Sequence, residues 1–339
     1  MSQSIQSQRA QQPVFVMGCH RSGTNLLYDV LLSAGGFAVY RGYLPVHKLL
    51  IPRYGGLHDP KNRERVMQVW LRSKGFRRSE LDRKQITARI LSDCRNGGDF
   101  IRIHMEEIAR RQHVPRWAVY DPDIVHYVRQ VKREIPDALF IHIIRDGRDI
   151  ALSLKKMGGF KPFPWRRENR SLNETALYWV WHVEKGRQFG RQIPADYLEV
   201  HYEELVREPQ KTLAELGRFL DHDLDYGHIQ AMGLGRLRES NSSFRDEGQQ
   251  NGSPVERWKE RLSGKEVAEL ETLIGDTLEE FGYSRTTPGG EANASLRLRC
   301  LRSLYPAILD SKLWLKMQTP LGKFVNTSVL ELQSETAAE

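Results

Sequence analysis

The sequence predicts an α/β protein, P-loop-like, with three α/β/α layers, a mainly parallel central sheet and a helical insertion. Three observations predict it. Apolar runs without alternation, Val14-Phe15-Val16-Met17 and Ala138 to Ile144, read as strands buried on both faces. A Gly-containing turn follows each run, and a segment with helical spacing follows the turn. Further strands and helices alternate along the chain, and no internal repeat is visible.

Composition bounds the possibilities. The chain has 339 residues, 40% of them apolar and 28% charged, enough for a sizeable core in roughly one or two domains. No apolar run approaches the ~18 residues of a membrane span. Met1 to Gln12 lacks the apolar stretch of a secretory leader, so a cytoplasmic location is expected. Lys plus Arg number 51 against 43 Asp plus Glu, a net charge of +8 that favours an anionic ligand, an anionic membrane or nucleic acid. Cys19, Cys94 and Cys300 are scattered and form no C-x-x-C pair, which argues against a disulfide framework or structural zinc and fits a reducing compartment.

Taken in order, residues 1–12 are Gln/Ser-rich and predicted to be disordered. Val14 to Met17 is the first strand, Gly18 to Gly23 a turn, and Asn25 to Leu32 a helix on the spacing of Leu26, Leu27, Val30 and Leu31. From Phe37 to Arg116 the pattern is irregular and basic, with helices near 61–74 and 80–93. Residues 40–118 therefore read as a helical insertion, since no linker marks a second domain. A helix is predicted over 123–134, the strand Ala138 to Ile144 after Pro136, and a helix from about Asp149. Helices over 171–188, 209–220 and 263–281, a strand over 197–201 and a mobile loop over 238–256 complete the reading. The domain spans 13–285. The extension 286–339 carries a basic amphipathic helix, Leu296 to Leu315.

Two turns carry the chemistry. Gly18-Cys19-His20-Arg21-Ser22-Gly23-Thr24-Asn25 has the spacing of a nucleoside-triphosphate P-loop, but Thr24 stands at its Lys and Asn25 at its Mg²⁺-binding hydroxyl. What remains binds an anion: amides around Gly23, a helix N-terminus, Arg21, and the hydroxyls of Ser22 and Thr24. In the second turn Arg145 ends a buried strand and Ser153 lies in the helix after Arg145-Asp146-Gly147-Arg148-Asp149. A strand-end guanidinium and a helical hydroxyl can converge on one phosphate.

Together the two turns resemble the sulfotransferase family that uses 3′-phosphoadenosine 5′-phosphosulfate (PAPS), in its bacterial and tyrosyl-protein branches. Pro136-Asp-Ala-Leu-Phe140, His201-Tyr202-Glu-Glu-Leu-Val206 with Pro209, and Pro254-Val-Glu-Arg257-Trp258-Lys259 resemble three further family segments, so the likeness covers roughly 13–285. The resemblance implies PAPS as co-substrate, without a metal. It places Arg21, Ser22, Gly23, Thr24 and Asn25 at the 5′-phosphosulfate, Arg145 and Ser153 at the 3′-phosphate, and Tyr202, Arg257 and Trp258 around the nucleotide. Arg21 is then also catalytic, stabilising charge on the departing nucleotide oxygen.

The resemblance carries over no general base for the acceptor, because Phe37 to His58 lacks the Glu that relatives place there. His47 and Asp121 are the candidates, with Tyr43 and His104 behind them. Tyr120 stands where relatives carry a Lys. Trp70, Trp117 and Trp165 are available to stack on an acceptor, which is expected to be a carbohydrate or other small hydroxyl compound, or an amine. Nucleic acid is not an expected partner, peripheral membrane contact through the C-terminal helix is a lesser expectation, and oligomeric state is left open. A P-loop nucleotide kinase and a nucleotide-binding relative without turnover are the alternatives.

Overall fold

The computed structural model describes residues 9–157, 161, 167–234, 254–287 and 296–327. Four parallel strands, in spatial order β2-β1-β3-β4, form the sheet: β1 (Val14–Gly18), β2 (Ala118–Tyr120), β3 (Leu139–Ile144) and β4 (Tyr197–His201). Val16 pairs with Tyr120 on one side and Ile141 on the other, and Ile143 pairs with Val200. Alternate residues feed opposite faces. Phe15, Met17 and Phe140 enter one apolar cluster, whereas Val14, Val16, Leu139, Ile141 and Ile143 enter another. Helices cover both faces, which is why the strands read as unbroken apolar runs.

The helix α1 (Thr24–Ser33) leaves the first turn, and a π-helical turn Val46–Leu50 leads into α2 (Ile51–Tyr54). The inserted helices are α3 (Pro60–Trp70), α4 (Lys74–Ser79), α5 (Arg83–Asp93) and α6 (Gly97–Arg111). The predicted helix 80–93 is α5, which starts at Arg83, and the separate short α4 before it ends where Glu80 adopts a left-handed φ of 53°. Sequence reading missed α6 because Gly97-Gly98 looks like a breaker. Its signal was present: an Asn96/Asp99 capping box precedes Phe100, Ile101, Ile103, Met105 and Ile108, all buried. These helices share one core with Phe15 and Phe140, so the insertion packs directly on the sheet.

The predicted helix 123–134 is a 3₁₀ turn, Pro122–His126, followed by α7 (Val128–Glu134). Then come α8 (Gly147–Lys156), α9 (Leu172–Gly190), α10 (Tyr202–Arg207), α11 (Pro209–Leu220) and α12 (Tyr226–Met232). The last helices are α13 (Trp258–Arg261), α14 (Gly264–Glu280) and α15 (Leu296–Gln318), with a 3₁₀ turn Pro320–Phe324 closing the described chain. Residues 1–8, Trp165 and most of the predicted loop 238–256 lie outside the described residues. Residues 9–12 differ from the disorder expected of them: Arg9 donates to Ala195 O at 2.9 Å, and Gln12 O accepts from buried Arg116 at 2.7 Å.

Two residues weighed for the acceptor site belong to the core instead. Trp70 is fully buried on α3 and donates from Nε1 to His104 Nε2 at 2.7 Å, while His104 Nδ1 meets Phe100 O at 2.9 Å. Trp117 packs edge-on against Phe15. The neutral ring of His104 serves both partners, and burial lowers its pKa from 6.5 to about 4. Between those values the unfolded chain takes up a proton that the fold refuses. The stabilisation is therefore complete above the unfolded value and lost as pH falls through the folded one. His104→Gln is expected to reduce the loss of urea stability between about pH 7 and about pH 5 by on the order of 2 kcal/mol. An unchanged pH slope would refute this.

Candidate active site

The first turn is shaped by its backbone. Gly23 caps α1 with a left-handed φ of 102°, and a Cβ there would meet Tyr202 Cδ2 at 2.5 Å, so the position needs glycine for both reasons. Arg21 also has a positive φ, 75°, a conformation a side chain adopts only under constraint. Ser22 helps supply the constraint: its N and Oγ both donate to Cys19 O, at 3.1 and 2.7 Å. The loop amides then open at the N-terminus of α1, as anion binding requires.

The second turn meets the first directly. Arg21 Nε donates to the buried Ser153 Oγ at 3.0 Å, and Arg145 Nη1 donates to Arg21 O at 3.3 Å. Arg145 is 3% exposed. Its guanidinium lies 4.4 Å from the centre of the Tyr202 ring, and Nη2 donates to Pro254 O at 2.6 Å. The late segment is held in place by Asp149, whose carboxylate accepts from the amides of Glu256 and Trp258 at 3.0 and 2.9 Å. Arg257 is brought close enough to Arg145 that burial and that neighbouring charge both lower its pKa. Arg145 Nε and Trp258 Nε1 are buried donors that lack a hydrogen-bond partner among the described residues. Two unserved donors beside a crowd of guanidiniums fit a phosphate-bearing ligand.

A cleft of about 260 Å³ runs along this wall, lined by His20, Arg21, Gly23, Thr24, Asn25, Pro122, Arg145 and Tyr202. A model of the sulfotransferase family matches residues 13–226. The chain belongs to the sulfotransferase family. Two curated relatives, each named a putative protein-tyrosine sulfotransferase, are similar at the level of sequence. That of Caenorhabditis briggsae is 24% identical over 62% of this chain and 66% of its own length, and that of Caenorhabditis elegans 25% identical over 43% and 54%. The chain therefore spans less than two thirds of either relative. Among solved structures, the sulfotransferase domain from the Synechococcus PCC 7002 olefin synthase superposes with a TM-score of 0.50 at 19% identity. The match covers 81% of this chain and 96% of that domain, and it shows a shared fold.

Neither of the two bases considered from sequence is among the residues that line this cleft. His47 is buried, stacks on Tyr127 and bonds Glu134 Oε2 through Nε2 at 2.8 Å. With Asp121 it lines a separate void of about 20 Å³. Asp121 accepts from Tyr43 Oη at 3.1 Å and from the Asp123 amide at 3.0 Å, capping the 3₁₀ turn. Burial, then the neighbouring Asp123 carboxylate, raise its pKa to about 6.

Sequence reading missed the group that the cleft does contain. His20 lines it, with Nε2 3.9 Å from Asp123 and Nδ1 3.5 Å from Tyr178 Oη. Burial lowers the His20 pKa to about 4 against the pull of Asp123, so the ring is neutral near pH 7. Asp123 also pairs with Lys48 and lies 3.6 Å from His182 Nε2. Burial works to raise its pKa, but His20, Lys48 and His182 outweigh burial and hold it well below the usual range. Ligand atoms of His20, Asp123 and His182 lie within 4.8 Å of one another, a spacing a metal ion could use. The Lys48 ammonium already at that carboxylate opposes a divalent cation. No local pattern marks this cluster, because its members come from the first turn, the π-helical turn, the 3₁₀ turn and α9.

The extension closes the same side. On α15, Leu313 and Met317 pack against the insertion core, and Lys316 is pushed down to about 8 by burial and by nearby Lys48.

Proposed function

We propose that this protein transfers a sulfuryl group from PAPS to a hydroxyl or amine acceptor by in-line displacement. The observation that carries the reading is the junction of the two anion-binding turns, Arg21 Nε to Ser153 Oγ and Arg145 Nη1 to Arg21 O. It joins the two turns into one continuous cationic wall, as the two phosphate-bearing ends of one nucleotide require. Arg145, Ser153 and Arg257 hold the 3′-phosphate, and Tyr202 and Trp258 flank the nucleotide. The amides of Gly23, Thr24 and Asn25 hold the 5′ end, while Ser22 braces the turn through Cys19 O. Arg21 and those amides stabilise the charge that grows on the departing oxygen, work that needs no metal ion.

His20 takes the acceptor's proton. It is the neutral imidazole in the cleft, with Asp123 behind it to stabilise the imidazolium that forms. The acceptor is a small hydroxyl compound or carbohydrate. The putative protein-tyrosine sulfotransferases it resembles make a phenol worth screening beside those. A cytoplasmic setting is supported by three free cysteines, two of them buried.

Titration with 3′,5′-ADP and with ATP-Mg²⁺ tests the nucleotide, and a screen of acceptors with ³⁵S-labelled donor tests the transfer. Preference for ATP-Mg²⁺ would replace this reading by a kinase, and binding of 3′,5′-ADP without transfer by a relative that has lost turnover. Arg21→Ala is expected to lower kcat by about a hundredfold while 3′,5′-ADP affinity changes far less, since its contact strengthens in the transition state. Loss of affinity alone would contradict its role.

A further inference from the structure

The largest feature that the active site leaves unexplained is on the extension. Of the eight large apolar side chains that stand most exposed among the described residues, six fall between Leu304 and Phe324. Leu304, Ile308, Trp314 and Leu315 come from α15, and Leu321 and Phe324 from the 3₁₀ turn after it. Helical geometry explains the grouping: positions 304, 308, 311 and 315 repeat at four, three and four residues and so share one face, with 314 at its edge. The opposite face is the packed one, where Tyr305, Leu309 and Leu313 meet the core. A helix needs only one apolar face to join its own domain. This helix has two.

The outer face is built rather than left loose. Gly322 is buried, and a Cβ there would meet Lys316 O at 2.4 Å and Pro52 O at 2.7 Å. That close approach fixes the turn against α2 and holds Leu321 and Phe324 outward, Phe324 at 79% exposure. Thr319 Oγ1 caps the turn by accepting from the Leu321 amide at 3.2 Å.

Charge decides what the face is suited to meet. Residues 296–327 contain six Lys and Arg and a single acid, Asp310. Asp310 faces inward, accepting from Trp181 Nε1 at 2.8 Å and pairing with Lys185 at 3.2 Å. Arg302 pairs with Asp276, and Arg299, Lys312 and Lys323 are exposed on the extension. A face of this kind on a second copy would set cations against cations, whereas an anionic lipid surface complements both features at once. No helix among the described residues is long and apolar enough to cross a membrane, so contact would be interfacial.

We propose that the outer face of α15 and its terminal turn docks this protein on an anionic lipid surface, with Trp314, Leu321 and Phe324 entering the acyl boundary and Lys312 and Lys323 meeting the headgroups. The inner face of the same helix carries Lys316 toward Lys48 and Asp123, so the docking face and the packed face of α15 are distinct.

The test is co-sedimentation of the purified full chain with vesicles of phosphatidylcholine, alone and in equal parts with phosphatidylglycerol. Binding to the anionic vesicles is expected, weakening as salt is raised. Leu321→Ser with Phe324→Ser is expected to weaken it by roughly tenfold or more. Lys312→Glu with Lys323→Glu is expected to abolish the preference for phosphatidylglycerol. All four side chains are exposed, and retained 3′,5′-ADP binding or circular dichroism shows that the variants fold. The proposal fails if wild-type protein ignores both vesicles, or if neither pair of substitutions alters binding. It fails equally if the chain forms a lipid-free dimer that Phe324→Ser disperses, which would assign the face to a second copy.

Discussion

Arg145→Ala is expected to weaken binding of 3′,5′-ADP by about a hundredfold or more in calorimetric titration. A charge-assisted hydrogen bond to phosphate contributes ~1.5–3 kcal/mol, and a planar guanidinium offers two of them. Arg145 is nearly inaccessible to solvent, so its charge acts in a medium far less screening than water. Its removal also withdraws the donor to Arg21 O and leaves the Tyr202 ring without its cation. Arg145→Lys keeps the charge and loses the fork, so an intermediate loss is expected. Wild-type affinity in Arg145→Ala would show that the 3′-phosphate is held elsewhere and would dismantle the two-turn reading.

The second large effect concerns stability. Arg148, three residues on, never reaches the cleft. Its Nε and Nη2 donate to Asp146 at 3.0 and 2.8 Å, its Nη1 to Glu271 Oε1 on α14 at 2.6 Å, and its guanidinium lies 3.8 Å from the Trp258 ring centre. All three charged groups are buried. Burial works to lower the Arg148 pKa, but Asp146 and Glu271 outweigh it and raise the value. Arg148→Met leaves two buried carboxylates facing an apolar side chain, and a loss of ~3–5 kcal/mol in denaturant stability is expected. Arg148→Met with Glu271→Met is expected to lose less than the sum of the two single changes, because the second removes one of the stranded charges. Strict additivity would show that the pair is not coupled.

These two arginines mark the boundary of what was legible. The strand–turn–helix units around Arg21 and Arg145 could be read because each is local: an apolar run, a glycine, and a helical spacing within a score of residues. The proposal that they bind anions rests on residue type and position alone. The same reading singled out Arg145 by its place at the strand end and assigned no role to Arg148. Packing supplies that role, because the Arg148 fork ends in Asp146 and Glu271.

The general base illustrates the other limit. His47 and Asp121 were reasonable by position, but the fold turns both into a separate void and commits His47 to Glu134. His20, the base proposed here, sits inside the first turn and carries no mark of that role, because its partner Asp123 is a hundred positions away in the chain. The sequence by itself determined the parallel sheet, the two strand–turn–helix units and the order of the family segments, all of which depend on neighbours in the chain. Tertiary structure alone decided which titratable groups meet, which tryptophans are core and which face of α15 looks outward. Those outcomes depend on burial and on charges from distant segments, whose free energies arise only once the chain has closed on itself.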